Sequence, residues 1–210
     1  MQNLKYISSL FVLLLFLGKV SAQDIRSNTK GFSLNLNGVY GSWNSESVFF
    51  GELDDLEPAG YGIGLKAAYG INQNIELMLA FSSLGFRQEF DWDSYFLGNL
   101  EIGGRYNFGA TLRRVRPFLE VALSVHALNI DPITFDGINV FRLESSGVGF
   151  SAGGGLHFFF TENLSINANG KIAFGNFSTA SLSGTEVNNL DEKLDFTITS
   201  LHIGLTYFFH

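Results

Sequence analysis

The 210-residue sequence contains no cysteine, so an exported form cannot use disulfides and an N-terminal lipid-modified cysteine is excluded. Proline occurs only three times, and no Pro- or Ser-rich linker divides the chain. Charged residues make up 16%, well under the roughly 25% of a typical soluble domain. Lys and Arg total 13 against 20 Asp and Glu, and the net charge of -7 argues against a nucleic-acid partner, which would require a basic face. Beyond the first two dozen residues no apolar run approaches the roughly 18 to 20 residues of a membrane-spanning helix. Spanning by helices is therefore excluded, and only strands remain for a membrane role. What is abundant points the same way: 22 Phe, 24 Gly and 15% aromatic residues suit a protein whose outside is not wholly in water.

The first residues carry Lys5, then the apolar run Leu10 to Leu17, then Val20-Ser21-Ala22 before Gln23. This is the order of a secretory signal peptide, expected over residues 1–22. A short polar lead-in, expected to be periplasmic, follows over residues 23–30, and a single domain over residues 31–210.

That domain reads as eight strands with period-two alternation. In the first, Gly31 to Trp43, Phe32, Leu34 and Leu36 alternate with Ser33, Asn35 and Asn37. The second (Ala59 to Gly70), third (Ile75, fading near Phe86) and fourth (Tyr95 to Phe108) keep two unlike faces, as do the fifth (Pro117 to Leu128), sixth (Ser145 to Phe160) and seventh (Leu164 to Phe174). The last stretch, Leu194 to His210, sets Leu201, Ile203, Leu205, Tyr207 and Phe209 against His202, Gly204, Thr206 and Phe208. Its alternation slips between Ile198 and Leu201, which predicts a bulge or the exit from an apolar band. Long acidic or polar connections are expected at 44–58, 87–94, 129–144 and 175–192. Short turns are expected at 71–74, 109–116 and 161–163.

An even strand count, with long connections at one end and short turns at the other, predicts an all-β, eight-stranded antiparallel up-and-down transmembrane β-barrel. A lipocalin-like soluble barrel would show the same period with its apolar face turned inward. The polar face decides between them, since it is mostly Gly, Ser, Ala and Asn, suited to a narrow lumen and poor in the Lys and Glu of a wetted surface. Four strands end in Tyr69, in Tyr106 and Phe108, in Phe158 and Phe160, and in Tyr207 and Phe209, which predicts an aromatic girdle at one membrane interface.

On these residues the stretch from Gly31 to Phe209 resembles the eight-stranded outer-membrane β-barrel families of the OmpA transmembrane-domain and OmpX kind. The Ser21-Ala22-Gln23 junction resembles signal ends common in Bacteroidota. The resemblance implies outer-membrane lipids and lipopolysaccharide as surroundings and a monomer. It also implies recognition of Leu205, Tyr207 and Phe209 by the barrel-assembly machinery, with His210 as a departure from an aromatic last residue. It brings no catalytic motif and no cofactor, and implies a structural or surface-interaction role.

The candidate lumen charges are Lys66, Glu76, Glu101, Arg105, Glu120 and Lys171, joined by His126 and His157. Counting outward from the 109–116 turn places Arg105 against Glu120, an expected cross-strand ion pair, and Lys66 with Glu76 is expected to be similarly close across the 71–74 turn. These charges read either as a charge-balanced plug or as the lining of a small pore. Ser124-x-His126 and Ser200-x-His202 set a hydroxyl and an imidazole on one strand face, the ingredients of a lipid A-modifying enzyme, but residues two apart on a strand are expected to be poorly placed for catalysis. The four His residues show no metal spacing. Arg113, Arg114 and Arg116 are expected at the periplasmic side against lipid phosphates. The acidic first connection includes Val48, Phe49 and Phe50, an expected adhesive patch, protein contact or self-packed loop.

Overall fold

The computed structural model describes residues 26–45, 58–87, 95–109, 111, 113–134, 140–186 and 194–209. The signal-peptide expectation, the acidic connection with Val48, Phe49 and Phe50, and His210 lie outside them. The strands are β1 (Gly31–Asn44), β2 (Ala59–Gly70), β3 (Ile75–Phe86), β4 (Tyr95–Asn107), β5 (Val115–Thr134), β6 (Val140–Phe159), β7 (Leu164–Leu182), β8 (Thr185–Glu186) and β9 (Leu194–Phe209). The two-residue β8 only folds back on the end of β7. The other eight pair antiparallel with their neighbours and close into a ring, β9 against both β1 and β7. No helix occurs among the described residues.

Local chemistry fixes two of the short turns. Asn72 Oδ1 accepts hydrogen bonds from the backbone N–H of Asn74 and Ile75 at 2.8 and 2.9 Å, an Asx turn between β2 and β3. Thr161 Oγ1 does the same for Asn163 and Leu164 between β6 and β7, at 3.3 and 3.0 Å. At the start of β1, Gly31 has φ +98°, and a Cβ there would stand 2.9 Å from the Phe209 carbonyl oxygen, so only glycine fits beside the closing strand.

The stagger follows from the register. Passing through paired residues once round the ring, from Gly154 through Gly170, Leu201, Tyr40, Tyr61, Gly85, Phe96 and Asn129, ends on Glu144, ten residues along β6 from the start. Such shear tilts the strands, typically by about 35–45°, and leaves an interior just wide enough for side chains.

Three expectations change. The connections expected at 129–144 and 175–192 are largely strand. β5 and β6 stay paired out to Thr134 and Val140, and β7 runs to Leu182. The polar residues there are wetted strand, whose hydrophobic alternation has faded while its backbone ladder continues.

Of the two readings of the slip in the last strand, the bulge is excluded, since β9 pairs with β1 and β7 without a register shift, and the exit from the apolar band remains. Its inward residues are even-numbered throughout, with Phe196, Ile198, His202, Thr206 and Phe208 buried. What changes is the lumen, which becomes apolar at this end while the outer face turns to Thr197 and Thr199. Both faces exchange polarity, and that mimics a shift of phase. The fading of β3 has the same cause, for Leu84 and Phe86 point inward.

A true bulge lies elsewhere. Ser146 pairs with Thr179 but Gly147 with Phe177, so Ser178 is an extra residue on β7.

Candidate functional site

The lumen is built of layers, beginning at the short-turn end. There the lead-in folds under the barrel: Ser27 N–H donates to the Thr111 carbonyl at 2.7 Å, and Thr29 Oγ1 donates to the Gln73 carbonyl at 2.7 Å. Arg116 holds it from inside, donating to the Ser27 carbonyl and Thr29 Oγ1, each at 3.0 Å, and to the Gln73 carbonyl at 2.6 Å. Arg116 is fully buried, which overturns its expected place against lipid phosphates. The signal was available, because Arg116 shares the parity of Glu120 and therefore its inward face.

Above it, Phe118 stacks beneath the Arg105 guanidinium, 4.3 Å from carbon to ring centre. Arg105 then meets Glu120 at 3.0 Å and Glu76 at 3.5 Å. Its Nη1 donates to His157 Nε2 at 3.1 Å, so the imidazole carries its proton on Nδ1 and donates it to Ser165 Oγ at 2.9 Å. Glu120 also receives Lys66 at 2.8 Å, Lys171 at 3.5 Å and the Asn169 amide at 2.8 Å, and Lys171 is bound to Glu101 as well. Three cations thus face three carboxylates in a buried cluster with Glu120 at its centre.

Lys66 and Glu76 are not partners, contrary to expectation. The register sets Lys66 opposite Ala80 and Glu76 opposite Gly70. Glu76 is held instead by Arg105 and by Asn107 Nδ2, the latter at 2.6 Å.

The next layer is amide and imidazole. Asn35 Nδ2 donates to Asn167 Oδ1 at 2.7 Å, and Asn37 Nδ2 to Asn35 Oδ1 at 2.6 Å. Asn37 Oδ1 then accepts from His202 Nδ1 at 3.1 Å, leaving His202 Nε2 to accept the Ser200 hydroxyl at 3.0 Å. Ser124 and His126 are likewise in contact, at 2.8 Å. Both pairs are within hydrogen-bond reach, a placement not expected of residues two apart on a strand, because they share a face and the ring spans between them. Ser200, His202 and Asn37 form a hydroxyl–imidazole–amide chain. It opens onto a chamber of about 20 Å³ between Lys171 and His126 below and Val39, Leu84 and Ile198 above, the size of one water molecule, which leaves no room for an acyl substrate.

The last layer, unforeseen, is apolar: Trp43, Phe86, Tyr95, Leu97, Phe177 and Phe196 belong to one buried cluster. Trp43 Nε1 donates to Tyr95 Oη at 3.2 Å, satisfying both polar tips. Inward aromatic residues at the far ends of the strands were the signal, hidden by the assumption of a polar lumen.

The outer wall is the reverse. Ile63, Leu65, Ile102, Leu123 and Val148 are each more than half exposed, an apolar band no water-soluble surface would carry. Where the strands reach the short turns, Tyr69, Tyr106, Phe108, Phe158, Phe160, Tyr207 and Phe209 all lie on this outer face. Rings pair within strands, Tyr106 with Phe108 at 4.9 Å, Phe158 with Phe160 at 5.3 Å and Tyr207 with Phe209 at 4.9 Å, and Phe32 joins them across the closure at 5.5 Å from Phe209.

A closed ring with this polarity also matches in sequence, over residues 10–209, the family described as outer membrane protein beta-barrel domain. The chain belongs to that family. Three solved outer-membrane barrels share its fold. Neisserial surface protein A aligns at 15% identity over 86% of this chain and 98% of its own, with a TM-score of 0.63. OprG of Pseudomonas aeruginosa aligns at 15% identity over 89% and 100%, with a TM-score of 0.56. Ail, the attachment invasion locus protein of Yersinia pestis, aligns at 14% identity over 85% and 99%, with a TM-score of 0.52. At such identity the likeness is one of fold. No curated protein matches the sequence. Among the described residues of this outer-membrane barrel, no group of three or more His, Asp or Glu is placed to hold a metal ion.

Proposed function

We propose that this outer-membrane barrel is a closed-lumen structural or surface-interaction protein, monomeric, with its short turns in the periplasm and the ends of β5, β6 and β7 standing above the membrane. The observation that carries this reading is the filling of the lumen. Lead-in and Arg116, the Glu120 charge cluster, the amide ladder and the Trp43–Phe196 cluster follow one another from end to end. A pore would need a continuous polar path, whereas here the charges around Glu120 are paired, Arg116 is tied to the lead-in, and the far layer is apolar. The aromatic residues at the short turns serve as interfacial anchors, and Tyr207 and Phe209 as the assembly signal. Purified protein in planar bilayers is expected to give no conductance steps above the bare-membrane baseline, and stable unitary steps would replace this reading with a pore. Lipid A from a deletion strain is expected to be unmodified in its acyl pattern relative to the parent, which separates this role from that of a lipid A-modifying enzyme.

A further inference from the structure

The outer wall over β4 to β7 is not uniformly convex. An apolar trough of about 680 Å³ is lined by Leu100, Leu123, Val125, Val148 and Phe174. Beside it a second trough of about 370 Å³ is lined by Asn129, Glu144, Ser146, Thr179 and Ser181. The two share no lining residue but follow one another along the same strands. On β5 the outward positions run Val125, Ala127, Asn129, on β6 Val148, Ser146, Glu144, and on β7 Phe174, Asn176 and then the bulge, so each strand steps from apolar to polar within two or three outward residues.

The bulge shapes the polar trough. Because Ser178 is extra, Ser178 and Thr179 both face outward, and both hydroxyls lie 3.4 Å from the Ser146 carbonyl. Ser146 Oγ and Thr179 Oγ1 are 2.7 Å apart. The lining offers hydroxyls, an amide and one carboxylate, and no cation. Arg142 stands at its edge, donating to Asp131 at 2.8 Å and lying 3.8 Å from Glu144, so its charge is taken up by two carboxylates.

We propose that this paired trough binds one lipid of the surrounding leaflet, an amphiphile whose acyl chain lies along Leu123, Val125 and Val148 and whose head is an uncharged, hydroxyl-rich sugar seated on Ser146, Thr179 and Asn129. The proposal rests on the apolar wall being the membrane face. The position dictates the class of occupant, since the polar trough begins where the apolar band ends, at headgroup height. The chemistry selects among headgroups. Hydroxyls and an amide exchange hydrogen bonds with sugar hydroxyls, while the net negative charge of Asp131, Arg142 and Glu144 at the edge of the polar trough disfavours a phosphate.

The test uses the full chain in phosphatidylcholine nanodiscs doped with equal amounts of monoglucosyl diacylglycerol and phosphatidylglycerol of the same acyl chains. Lipid retained by the released protein is counted by native mass spectrometry. The glucosyl lipid is expected to exceed the phosphatidylglycerol by about tenfold, the effect of one or two net hydrogen bonds. Thr179→Trp, which fills the polar trough at an exposed position, is expected to bring the ratio to near one while the barrel keeps its heat-modifiable migration. Equal retention in the wild type, or a ratio unmoved by Thr179→Trp and by Ser146→Trp, overturns the proposal. Failure of the membrane reading would look different, since neither lipid would be retained by any variant.

Discussion

Arg105 and Glu120 stand opposite each other on β4 and β5, 3.0 Å apart, yet the same carboxylate also holds Lys66 from β2 and Lys171 from β7. One side chain therefore ties four strands of the ring together. Glu120→Gln would leave three buried cations facing two carboxylates. It is expected to destabilise the barrel by about 3–5 kcal/mol, the cost of an uncompensated buried charge. Urea unfolding in detergent or lipid vesicles measures it, and a loss under about 1 kcal/mol would mean that the cluster is wetted and weak.

Val121 faces outward, half exposed, in the middle of β5. Val121→Phe is expected to assemble normally, whereas Val121→Arg should cost about 2–4 kcal/mol near the membrane midplane. The fraction of folded, heat-modifiable protein reads the difference. Equal assembly of the two variants would contradict the lipid-facing assignment of this wall.

Arg116 joins the lead-in to the barrel through three acceptors on Ser27, Thr29 and Gln73. In Arg116→Ala the amides of Ser27 and Thr29 are expected to exchange hydrogen faster by at least an order of magnitude, with β5 and β6 unaffected. Arg116→Lys should recover little of this protection, since a single ammonium does not reproduce the planar fork. Unchanged exchange in both variants would show that Thr111 and Gln73 hold the lead-in without it.

Phe196 points into the lumen, packed 4.7 Å from Phe177 and 4.6 Å from His126 by ring centres. Phe196→Ala should therefore behave as a core deletion, at about 3–5 kcal/mol. A change within about 0.5 kcal/mol, the usual range for an exposed site, would indicate that this end of β9 stands clear of the lumen.

The fold was legible because strand period and turn spacing are local properties. Ile75, Leu77, Leu79 and Phe81 declare their face within a few residues, and across the short 109–116 turn counting alone sets Arg105 against Glu120. Partners across the lumen were not legible. Whether Lys66 reaches Glu120 depends on the stagger of the whole ring, which no single hairpin contains. The apolar layer escaped for another reason: Phe196, Ile198, Leu84 and Phe86 obey the parity rule, but a reading that equates inward with polar assigns them to the wrong face or to a bulge. Arg116 was lost because it stands next to Arg113 and Arg114, and a charge cluster in sequence suggests a shared surface that the backbone does not provide.

The pairing of Phe32 with Phe209 joins strands from opposite ends of the described chain. Hairpins such as β2–β3 and β6–β7 form from neighbours at little entropic cost, but the β1–β9 seam requires the longest loop closure in the molecule. Until that seam zips, the growing sheet has two open edges, and with them a route to sticking to other chains. A chaperoning surface that holds one of these edges until the other arrives would act where this barrel is most exposed to failure, and substitutions at Gly31, wedged against the Phe209 carbonyl, should slow the final step more than they weaken the finished ring.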